Sequence, residues 1–517
     1  MEPDALNEDK GSLLAGIDTG GTFTDFVILA GGRIRHCKVL STPDDPSRAI
    51  REGLDRLGVG DEAMRVVHGT TVGTNAVLEG KGARVAYVTS VGFADVLTLG
   101  RQNREQVYRL RQPPVAPPVE PDLCLEVSTR AAADGSLLAR AGEDELAELA
   151  ARLEALEPEA VAVNLLFSFL CPEEEQRIAE ALGQRWFTSL SSRVLPEVRE
   201  YERGIATWLD ASVGPVMARY LGRLAERLPR ARISVMQSAG TTITAAQAQA
   251  QSQAVRLLLS GPAGGLAAAL LVGRVCGTRK LLSFDMGGTS TDVSLLDGEI
   301  PLCSANAIGR WPLAVPSVDI HSIGAGGGSI ARVDRGGMLL VGPESAGATP
   351  GPACYGQGGE DATVTDANLV LGRIPGDTLL GGYLPLDGQA AAAALERLGS
   401  DLGCDREEAA RGVIRLANEH MARALRVMSV ERGHDPRDYA LFSFGGAGGL
   451  HACELADLLD MPEVIVPAAG GVLSALGMLA SEPGRDLSRA VLEDISGLGD
   501  PALERMFAEL QAEADAQ

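Results

Sequence analysis

The stretch Asp18-Thr19-Gly20-Gly21-Thr22-Phe23-Thr24-Asp25 decides the fold, because the chain repeats its pattern at Asp285-Met286-Gly287-Gly288-Thr289-Ser290-Thr291-Asp292. Both copies read D-x-G-G-T-x-T-D, and each lies between two short apolar runs. An apolar run, a Gly-Gly turn and a second apolar run are typical of a β-hairpin. Two copies in separate parts of the chain predict a duplicated domain with a cleft between its halves.

The residues of the two turns suit phosphate. Glycines let the backbone approach a ligand closely, and successive N–H groups in such a turn point into one concavity. The threonines add hydroxyl donors, and a carboxylate at the strand end can hold Mg²⁺ through water. The sequence therefore predicts that both hairpins grip the phosphates of one nucleoside triphosphate, through Gly20, Gly21, Thr22 and Asp18 on one side and Gly287, Gly288, Thr289 and Asp285 on the other. The alternative is two ordinary tight hairpins whose Asp and Thr side chains only satisfy backbone groups.

Length and composition narrow the class of protein. A chain of 517 residues predicts two or more domains, and 45% hydrophobic with 22% charged residues is ordinary for a folded soluble protein. The formal net charge of −23 argues against general affinity for nucleic acid or acidic membranes. Aromatic residues make up only 4% of the chain, which argues against a base-stacking surface.

The eight cysteines are scattered and form no CxxC or Cys/His finger spacing, so the sequence supports neither a zinc finger nor an iron–sulfur site. Residues 1–10 are polar and acidic and show no signal peptide, so we expect a reduced, cytoplasmic protein. The longest uncharged stretch, Leu257 to Gly273, contains Ser260-Gly261-Pro262-Ala263-Gly264-Gly265. We expect it to be a loop that feeds a buried helix of small residues, and no membrane span.

Alternating strand and helix patterns predict an α/β layered fold. Three strands are expected within residues 13–40, and a long helical stretch over 200–228, interrupted at Gly214-Pro215, is expected to link the two halves. Further predicted elements are helices over 43–57, 74–78, 143–156, 173–182, 390–398, 411–432 and 501–516, strands over 66–71, 84–89, 160–169, 233–237, 440–444 and 464–466, and a Pro-rich extended loop over 113–121.

Two further motifs point to chemistry. Phe444-Gly445-Gly446-Ala447-Gly448-Gly449 follows a strand and opens a helix, so its small residues permit backbone contact with a nucleotide. In Asp319-Ile320-His321, a strand would place Asp319 and His321 on one face, where they could ligate a metal or act as base and orienter. The alternative is a buried histidine satisfied by its Asp partner. The glycine run after His321 lacks the third small residue of a dinucleotide fingerprint, because Ser329 occupies that place.

Weaker candidates are left open between a functional and a structural role. His68-Gly69-Thr70-Thr71 places His68 beside two hydroxyls at a strand end, where it could contact phosphate or substrate or simply form a turn. The long Gly/Pro segment from Gly342 to Gly356 is a functional loop or a plain connector, and its Cys354 is a candidate nucleophile without an assigned base. Arg101 and Arg104 could bind an anionic group or lie in a solvated loop.

These motifs together resemble the hydantoinase A / 5-oxoprolinase family, within the superfamily of sugar kinases, heat-shock chaperones and actin. The phrases that carry the resemblance are GIDTGGTFTD at 16–25, HGTTVGTNA at 68–76, SFDMGGTSTD at 283–292, DIHSIGAGGGS at 319–329 and GPESAGATPGPACYG at 342–356. The resemblance covers roughly residues 13–485. It implies duplicated actin-like ATPase halves of the ribonuclease H type, with a nucleotide cleft between them.

The resemblance also implies domains and roles. It divides the chain into an N-terminal half over 1–195, a second half over 196–485 and the start of a truncated or absent C-terminal domain over 486–517. The cofactors would be ATP and Mg²⁺, with a second divalent metal possible at Asp319 and His321. Catalytic roles fall to Asp18, Asp285, Asp319, His321 and His68, metal binding to Asp18, Asp285, Asp319 and His321, and adenosine binding to Gly445, Gly446 and Gly448.

The implied activity is the ATP-dependent phosphorylation and opening of a cyclic amide or imide, such as a hydantoin or 5-oxoproline. A hydantoinase B-type subunit and an oligomeric assembly are the expected partners. The sequence leaves open an acetone-carboxylase-like subunit, a nucleotide-binding regulatory subunit that is active only with its partner, and a small-molecule kinase.

Overall fold

The computed structural model describes residues 13–42, 44–104, 107–112, 116–250, 253–380, 384–492 and 499–516. It contains two compact units, and each unit draws on separate parts of the chain. The first unit comprises residues up to Gly69, Gly261–Pro301 and Val318–Ser481, and the second comprises Thr70–Ser260, Leu302–Ser317 and residues from Glu482 onwards. The predicted halves divide the sequence once, near residue 195, whereas the compact units alternate along it.

The three strands predicted within residues 13–40 are confirmed. The elements up to Thr70 are β1 (Leu13–Thr19), β2 (Phe23–Ala30), β3 (Arg33–Leu40), α1 (Pro46–Arg56) and β4 (Met64–Thr70). Helix α1 begins with a proline, which fits the first helical position, and buries Ala49, Ile50 and Leu54 at helical spacing. Pro43, the first residue of the predicted helix, lies outside the described residues.

The second unit is built around a parallel sheet. From Val72 to Gln249 the elements are α2 (Val72–Leu78), β5 (Val85–Ser90), α3 (Val96–Leu99), β6 (Cys124–Val127), β7 (Arg130–Ala131), β8 (Leu137–Ala139), α4 (Glu143–Leu156), β9 (Ala160–Asn164), α5 (Pro172–Leu182), β10 (Phe187–Leu190), α6 (Ser191–Val194), α7 (Glu200–Arg227), β11 (Ala231–Met236), β12 (Thr242–Thr244) and α8 (Ala245–Gln249). The sheet order is β10-β9-β5-β6, with every pair parallel. Every residue of β5 and β9 is buried, as expected for parallel strands covered on both faces. The predicted strand over 160–169 is therefore shorter, because β9 ends at Asn164. Residues 113–115 of the predicted Pro-rich loop lie outside the described residues.

The predicted interruption of the long helix at Gly214-Pro215 is wrong. Helix α7 runs without a break from Glu200 to Arg227, with Pro215 inside it. More than half of its residues are buried, so tertiary packing sustains the helix across the hydrogen bond that a proline cannot donate. Gly214 lies so close to the Phe187 ring that a β-carbon there would approach it to 2.2 Å, which explains the small residue.

The remaining elements in chain order are α9 (Ser260–Cys276), β13 (Lys280–Met286), β14 (Thr291–Asp297), β15 (Leu302–Cys303), β16 (Asn306–Ile308), β17 (Trp311–Leu313), β18 (Ser317–Val318), β19 (His321–Ile323), β20 (Ser329–Val333), β21 (Leu339–Ser345), α10 (Val364–Val370), β22 (Leu379–Leu380), β23 (Leu384–Pro385), α11 (Gly388–Leu402), α12 (Arg406–Met428), β24 (Ala440–Phe444), α13 (Ala452–Leu458), β25 (Val464–Ile465), α14 (Leu473–Ala480) and α15 (Asp500–Ala516). The Ser260–Gly265 segment was expected to be a loop. It forms the first turns of α9, where the proline at 262 is tolerated because the amides of a first turn lack helical partners.

The first unit contains two hairpins of the same design. Strands β19-β14-β13-β24-β25 form one sheet, and β3-β2-β1-β4 follow the same order as its first four members. In the β1–β2 pair Asp18 lies opposite Asp25, and in the β13–β14 pair Asp285 lies opposite Asp292. The sequence repeat is thus a repeat of register as well as of residue type, and the α/β fold class is confirmed.

Helix α14 packs on the first hairpin and on α9 within the first unit by close backbone contact. A β-carbon at Gly16 of β1 would lie 1.9 Å from the carbonyl oxygen of Ala475, and one at Gly477 would lie 1.8 Å from the carbonyl oxygen of Gly264. Only glycine allows contacts of this kind, so α14 packs directly on β1 on one side and on α9 on the other. No helix in the described part of the chain combines the length and apolar character needed to cross a bilayer.

Candidate functional site

The two Gly-Gly turns close in the same way. The Gly20 amide donates to the Phe23 carbonyl at 3.0 Å, and the Gly287 amide donates to the Ser290 carbonyl at 3.0 Å. These residues occupy equivalent places in the repeat. Gly21 and Gly288, at the tips, are exposed, and a β-carbon at either would meet nothing within 4 Å. The tips therefore leave room for a ligand to approach the backbone.

Neighbouring segments hold each turn through its carbonyl groups. In the first turn, the Ser41 hydroxyl donates to the Gly20 carbonyl at 2.8 Å and the Ser41 amide donates to the Thr22 carbonyl at 2.9 Å. In the second turn, the amides of Gly327 and Gly328 donate to the carbonyls of Gly287 at 3.1 Å and Gly288 at 2.7 Å. Hydrogen bonds from neighbouring segments to the carbonyl groups fix each turn, while its tip stays accessible. A phosphate-binding loop requires both properties.

The aspartates that enter the turns have raised pKa values. Burial and the nearby Asp25 raise the pKa of Asp18 to about 7, against the opposing effect of Lys38. Burial, Asp292 and Asp18 raise the pKa of Asp285 to about 8. Because the charge of Asp18 acts on Asp285, the two hairpins bring their carboxylates into one electrostatic neighbourhood of the first unit.

The surroundings of Asp18 fit a cation. Its Oδ1 is buried and has no hydrogen-bond partner among the described residues. Small residues flank it: a β-carbon at Gly69 would lie 3.1 Å from Oδ1, and one at Gly261 would lie 3.6 Å away. An unsatisfied buried carboxylate oxygen is costly unless something neutralises it, and a divalent cation does so.

The donor set suits Mg²⁺ better than a fully protein-bound metal. Among the described residues, no group of three or more histidine, cysteine, aspartate or glutamate side chains is placed to hold a metal ion. Mg²⁺ commonly uses one or two carboxylates and completes its shell with water and substrate phosphate. Asp18 and Asp285 supply carboxylates of that kind.

Sequence reasoning missed Lys38. Its ammonium donates to the Asp25 carboxylate and, at 2.6 Å, to the Gly471 carbonyl, and its charge acts on both Asp18 and Asp285. The chain has only four lysines, so this one could have been noticed in the strand after the hairpin. Its role needed the register of β2 and β3, which places Lys38 directly opposite Asp25.

The Gly-rich turn after β24 packs against the second hairpin, as the predicted nucleotide site requires. Gly445 has φ +79°, and a β-carbon there would lie 2.3 Å from Asp285 Oδ1 and 2.5 Å from the Met286 carbonyl oxygen. The Ala447 amide donates to that same carbonyl at 3.0 Å. Gly446 is open, with nothing within 4 Å of a β-carbon, whereas Gly448 is buried against Ser443. Gly445 and Gly446 therefore lie at the site, and Gly448 supports the turn from inside.

Two other Gly-rich segments converge on the second turn. The Thr365 amide and hydroxyl both donate to the Gly327 carbonyl, at 2.7 and 2.8 Å. The Ala346 amide donates to the Gly328 carbonyl at 2.9 Å, which ties the 342–356 segment to the glycines that hold the turn. The long Gly/Pro segment is thus part of the support of this turn.

The predicted shared strand face of Asp319 and His321 is wrong. Residues 319 and 320 lie between β18 and β19, and only His321 is in a strand, opposite Val293. The Asp319 carboxylate pairs with Arg432, and its amide donates to the Pro301 carbonyl at 2.8 Å. Residues 319 and 320 are not paired in a strand, so the strand from which the shared face was inferred does not include Asp319. The metal assigned to Asp319 and His321 stays a prediction.

His68 is a neutral histidine beside the first hairpin. It is fully buried, and its Nδ1 lies 3.2 Å from the Ile17 carbonyl oxygen, one residue before Asp18. Burial lowers its pKa to about 4, so the ring is neutral at pH 7. With one ring N–H it can donate to the Ile17 carbonyl and hold β1 in place, but it carries no positive charge at neutral pH.

Two weaker candidates have structural roles. Burial and the adjacent Asp366 raise the pKa of the Cys354 thiol far above its usual range, which disfavours the thiolate that a nucleophile needs. Arg101 forms an ion pair with Glu202. These contacts account for both residues without a ligand.

Comparison with known proteins shows the family of the chain. Residues 203–486 match the Hydantoinase/oxoprolinase family model, and residues 14–185 match the model of the Hydantoinase/oxoprolinase N-terminal region. The chain belongs to the hydantoinase/oxoprolinase family. The family prediction is confirmed, and the two matched regions together account for most of the sequence.

Two relatives and one solved structure illustrate the similarity. Caprolactamase subunit alpha from Pseudomonas jessenii is 37% identical over 90% of this chain and 70% of the relative. Acetophenone carboxylase gamma subunit from Aromatoleum aromaticum is 32% identical over 96% of this chain and 74% of the relative. The crystal structure of ATP-dependent caprolactamase from Pseudomonas jessenii superimposes with a TM-score of 0.85 at 33% identity, over 97% of this chain and 76% of that chain.

Proposed function

We propose that this protein is the ATP-dependent amidohydrolase subunit that phosphorylates and opens a cyclic amide or imide, of the hydantoin, 5-oxoproline or caprolactam type. The observation that carries the proposal is the pair of hairpins with equal register, whose aspartates share one electrostatic neighbourhood. The ATP-dependent caprolactamase supports the same reaction class, because its structure matches nearly the whole chain.

The finer fold assignment belongs to the same proposal. Duplicated actin-like halves of the ribonuclease H type, with a nucleotide cleft between them, account for the common strand order β3-β2-β1-β4 and β19-β14-β13-β24. Two hairpins of equal register on sheets of equal strand order are expected from a gene duplication.

The chemistry follows from the weakness of the substrate as an electrophile. Transfer of the γ-phosphoryl group from ATP to the amide oxygen releases ADP and makes the carbonyl carbon a stronger electrophile. Water then adds to that carbon, and the ring C–N bond breaks as the nitrogen leaves with a proton. A second water hydrolyses the resulting acyl phosphate to carboxylate and phosphate. The protein then mainly positions reactants and stabilises charge. The amides at Gly20, Gly21, Gly287 and Gly288 and the hydroxyls of Thr22 and Thr289 would hold phosphate oxygens, while Gly445 and Gly446 offer backbone to the nucleoside.

Asp18 and Asp285 would hold Mg²⁺, which supplies neutralisation of the phosphate charge when bound. Burial raises the pKa of Asp25, and Lys38 opposes this effect through its ion pair with Asp25 beside the turn. His68, through the Ile17 carbonyl, positions the strand that carries Asp18. Each of these groups acts on orientation or charge, and none needs to accept a proton from the substrate.

A partner subunit of the hydantoinase B type and an oligomeric assembly are part of the proposal. The matched caprolactamase and acetophenone carboxylase chains are both named as subunits, which supports a multi-subunit enzyme. All eight cysteines are free thiols, in keeping with the proposed reduced, cytoplasmic setting.

One alternative has a specific observation in its favour. The acetophenone carboxylase gamma subunit is nearly as similar as the caprolactamase subunit, so ATP could instead activate a ketone for carboxylation. The phosphate turns would serve either reaction. The substrate side therefore has to be tested directly.

The test is phosphate release from ATP with a panel of candidate substrates. The protein, with its co-expressed B-type partner, is given caprolactam, hydantoin or 5-oxoproline in one series and acetophenone with bicarbonate in the other. Stimulation by a cyclic amide together with the ring-opened product supports the proposal, and Asp285→Asn serves as the inactive control. Stimulation only by the ketone with bicarbonate would assign the alternative, and a phosphorylated product that accumulates without ring opening would indicate a kinase.

A further inference from the structure

A short turn within the first unit, Gly470–Val472, lies between the first hairpin and the Gly-rich turn that follows β24. On one side, Val472 packs with Val27 of β2. On the other side, the Gly470 carbonyl accepts a hydrogen bond from the Gly445 amide at 3.1 Å. The 470–472 turn therefore contacts both parts that the proposed ATP site combines, the first phosphate turn's hairpin and the nucleotide turn that begins at Gly445.

Lys38 joins the 470–472 turn to the first hairpin. Its ammonium group donates to the Asp25 carboxylate and, at 2.6 Å, to the Gly471 carbonyl. The side chains of Lys38 and Asp25 are only 25% and 17% exposed, and Lys38 Nζ lies 5.7 Å from the centre of the Phe23 ring. An ammonium group held by a carboxylate, a carbonyl and an aromatic ring is more restricted than the ammonium of a surface lysine. This lysine can therefore fix the distance between two segments.

The second hairpin holds its equivalent aspartate without a lysine. Lys38 lies opposite Asp25 in the register of β2 and β3. Ser322 occupies the equivalent place in the register of β14 and β19, opposite Asp292, and its hydroxyl donates to that carboxylate. A hydroxyl at this position is compatible with the hairpin, so the hairpin alone does not explain the lysine of the first copy. What the lysine adds is a positive charge and the reach to Gly471.

We propose that Lys38 is a positioning residue, which sets the distance between the phosphate turn of the first hairpin and the nucleotide turn. The path runs from Asp25 through the Lys38 ammonium group to Gly471, and from the adjacent Gly470 to Gly445. Two turns at a fixed distance bind the phosphates and the nucleoside of one ATP together, whereas turns that move independently gain less from the link between these groups. The inference rests on the proposed ATP site and adds the residue that couples its two parts.

The experiment compares the binding of ATP with the binding of its two parts, adenosine and tripolyphosphate, each with Mg²⁺ present. The variant is Asp25→Asn/Lys38→Met in the full chain, which removes the bridge and leaves the net charge of the ion pair unchanged. We expect the Kd for ATP to rise by about tenfold or more, because two linked groups no longer meet turns at a fixed distance. Adenosine and tripolyphosphate each meet one turn, so their Kd values should change by less than about threefold. Competition against a fluorescent ATP analogue measures all three ligands.

Lys280→Met is the matched control. Lys280 belongs to β13 of the second hairpin, its side chain is 45% exposed, and its Nζ lies 3.9 Å from the Asp438 carboxylate. Loss of this exposed ion pair should leave the affinity for all three ligands unchanged. If the double variant does not fold, Lys38→Met gives the same comparison, because the lost charge weakens ATP and tripolyphosphate alike and the lost bridge weakens ATP in addition.

Three other results for the double variant would overturn the inference. Equal losses for ATP and tripolyphosphate would show that Lys38 contacts phosphate directly, and equal losses for ATP and adenosine would show that it only shapes the nucleotide turn. Unchanged affinity for ATP would show that Lys38 serves the first hairpin alone. An unchanged protein that binds no ATP would overturn the proposed function as well, whereas ATP binding without ring opening leaves this comparison intact.

Discussion

Asp18 and Asp285 lower the stability of the folded protein when they are ionised. For a carboxyl group with a raised pKa, the folded state favours the protonated form. The contribution of the group to stability therefore falls as the pH rises from 3.8, its pKa in the unfolded chain, to its pKa in the folded protein, about 7 for Asp18 and about 8 for Asp285. At pH above 8 both groups are ionised and the full cost is present. Residues that cost stability and are not paired by the protein are the ones expected to bind a ligand.

Asp18→Asn and Asp285→Asn should therefore separate stability from activity. Above pH 8 we expect each variant to unfold with a free energy higher by roughly 1–4 kcal/mol, because a buried charge is removed. ATP turnover should fall by about 10²-fold or more, since a carboxylate ligand of the cation is lost. Denaturant unfolding and phosphate release on the same samples measure both.

The matched control is Asp366→Asn. This buried carboxylate accepts hydrogen bonds from the Cys354 amide at 2.8 Å, the Thr363 amide at 3.0 Å and the Thr363 hydroxyl at 2.7 Å. Its replacement should lower stability by about 2–4 kcal/mol, because satisfied buried partners lose an ionic acceptor. If Asp18→Asn destabilises the protein in the same way, Asp18 is a structural carboxylate.

Two buried histidines predict how stability depends on acid. Burial lowers the pKa of His68 to about 4, and burial and Arg373 lower that of His451 to about 4. His451 is held neutral between Asn418, 2.6 Å from Nδ1, and Asn368, 3.3 Å from Nε2. Because the unfolded chain takes up these protons near pH 6.5, the unfolded state binds more protons between pH 6.5 and 4.

The contribution of each histidine to the free energy of unfolding should thus be fully present above pH 6.5 and should fall by about 3 kcal/mol as the pH drops to 4. Asp18 and Asp285 act in the opposite direction over the same range, so the histidine contribution is the difference between the protein and a histidine variant. Chemical denaturation at closely spaced pH values measures this slope. Relative to the unchanged protein, His451→Gln should gain about 3 kcal/mol between pH 6.5 and 4, whereas His36→Gln, at an exposed position of β3, should follow the unchanged protein. Equal slopes in all three proteins would contradict the assignment of buried neutral rings.

At the scale of elements, the hairpin tips make a prediction that separates folding from binding. Gly21→Ala and Gly288→Ala place a methyl group where nothing lies within 4 Å, so the free energy of unfolding should change by less than about 1 kcal/mol. The same methyl groups would stand between the backbone and a phosphate, so the Kd for ATP should rise by about tenfold or more. Titration of fluorescent ATP analogues measures the affinity. Unchanged affinity in both variants would show that the tips do not contact phosphate.

The continuity of helix α7 through Pro215, where an interruption was predicted, can be tested by a measurement of stability. Since the helix continues through Pro215, Pro215→Ala restores an amide that can donate to the Ala211 carbonyl. We expect a gain of about 1 kcal/mol in the free energy of unfolding, less than the full helix-interior cost of proline because the native helix has adapted to it. Thermal unfolding measures whether Pro215→Ala raises or lowers stability. The comparison variant is Gly204→Ala, which would place a β-carbon 2.8 Å from Asn164 and should lower stability. A loss of stability in Pro215→Ala would mean that the packing of the proline ring stabilises the folded protein.

The sequence predicted those elements whose signal is local. The β1–β2 and β13–β14 hairpins, helix α4 and strand β24 follow from apolar period and turn residues, and they were found where expected. The continuity of α7 was not predictable, because a buried surface outweighs the local effect of proline only when its packing partners are known. The strand assignment of Asp319 and His321 failed because two residues, 319 and 320, lie outside the strands, which removes the alternation on which the inference depended.

The site was predictable in its turns but not in its support. The residues Gly20 and Gly287 follow from the repeat itself. That Gly327, Gly328 and Ala346 hold the second turn requires contacts between segments that are separated by tens of residues, and no periodicity encodes them. Lys38 was missed for the same reason, because its contact with Asp25 depends on the register between β2 and β3.

On the scale of the whole molecule, the interleaved units make each part of the chain depend on distant parts. In the first unit, Val27 of the first hairpin packs with Val472 and Ala475 of the α14 region. In the second unit, strands β9 and β10 precede residue 195, and helix α7, which packs against them, follows it. A cut near residue 195 therefore divides both units, although the predicted halves meet there.

Residues 1–195 and 196–517 expressed separately should each fail to fold, because Gly16 and Val27 lose their cover in one fragment and α14 and α7 lose their partners in the other. Exposed apolar core of this extent outweighs the few kcal/mol by which a domain is stable. Co-expression of both fragments should restore a folded complex, since every contact within each unit is then available. Circular dichroism and size-exclusion chromatography of each fragment and of the pair measure this, and a fragment 1–195 that unfolds cooperatively by itself would show that the sequence halves, and not the interleaved units, are the folding units.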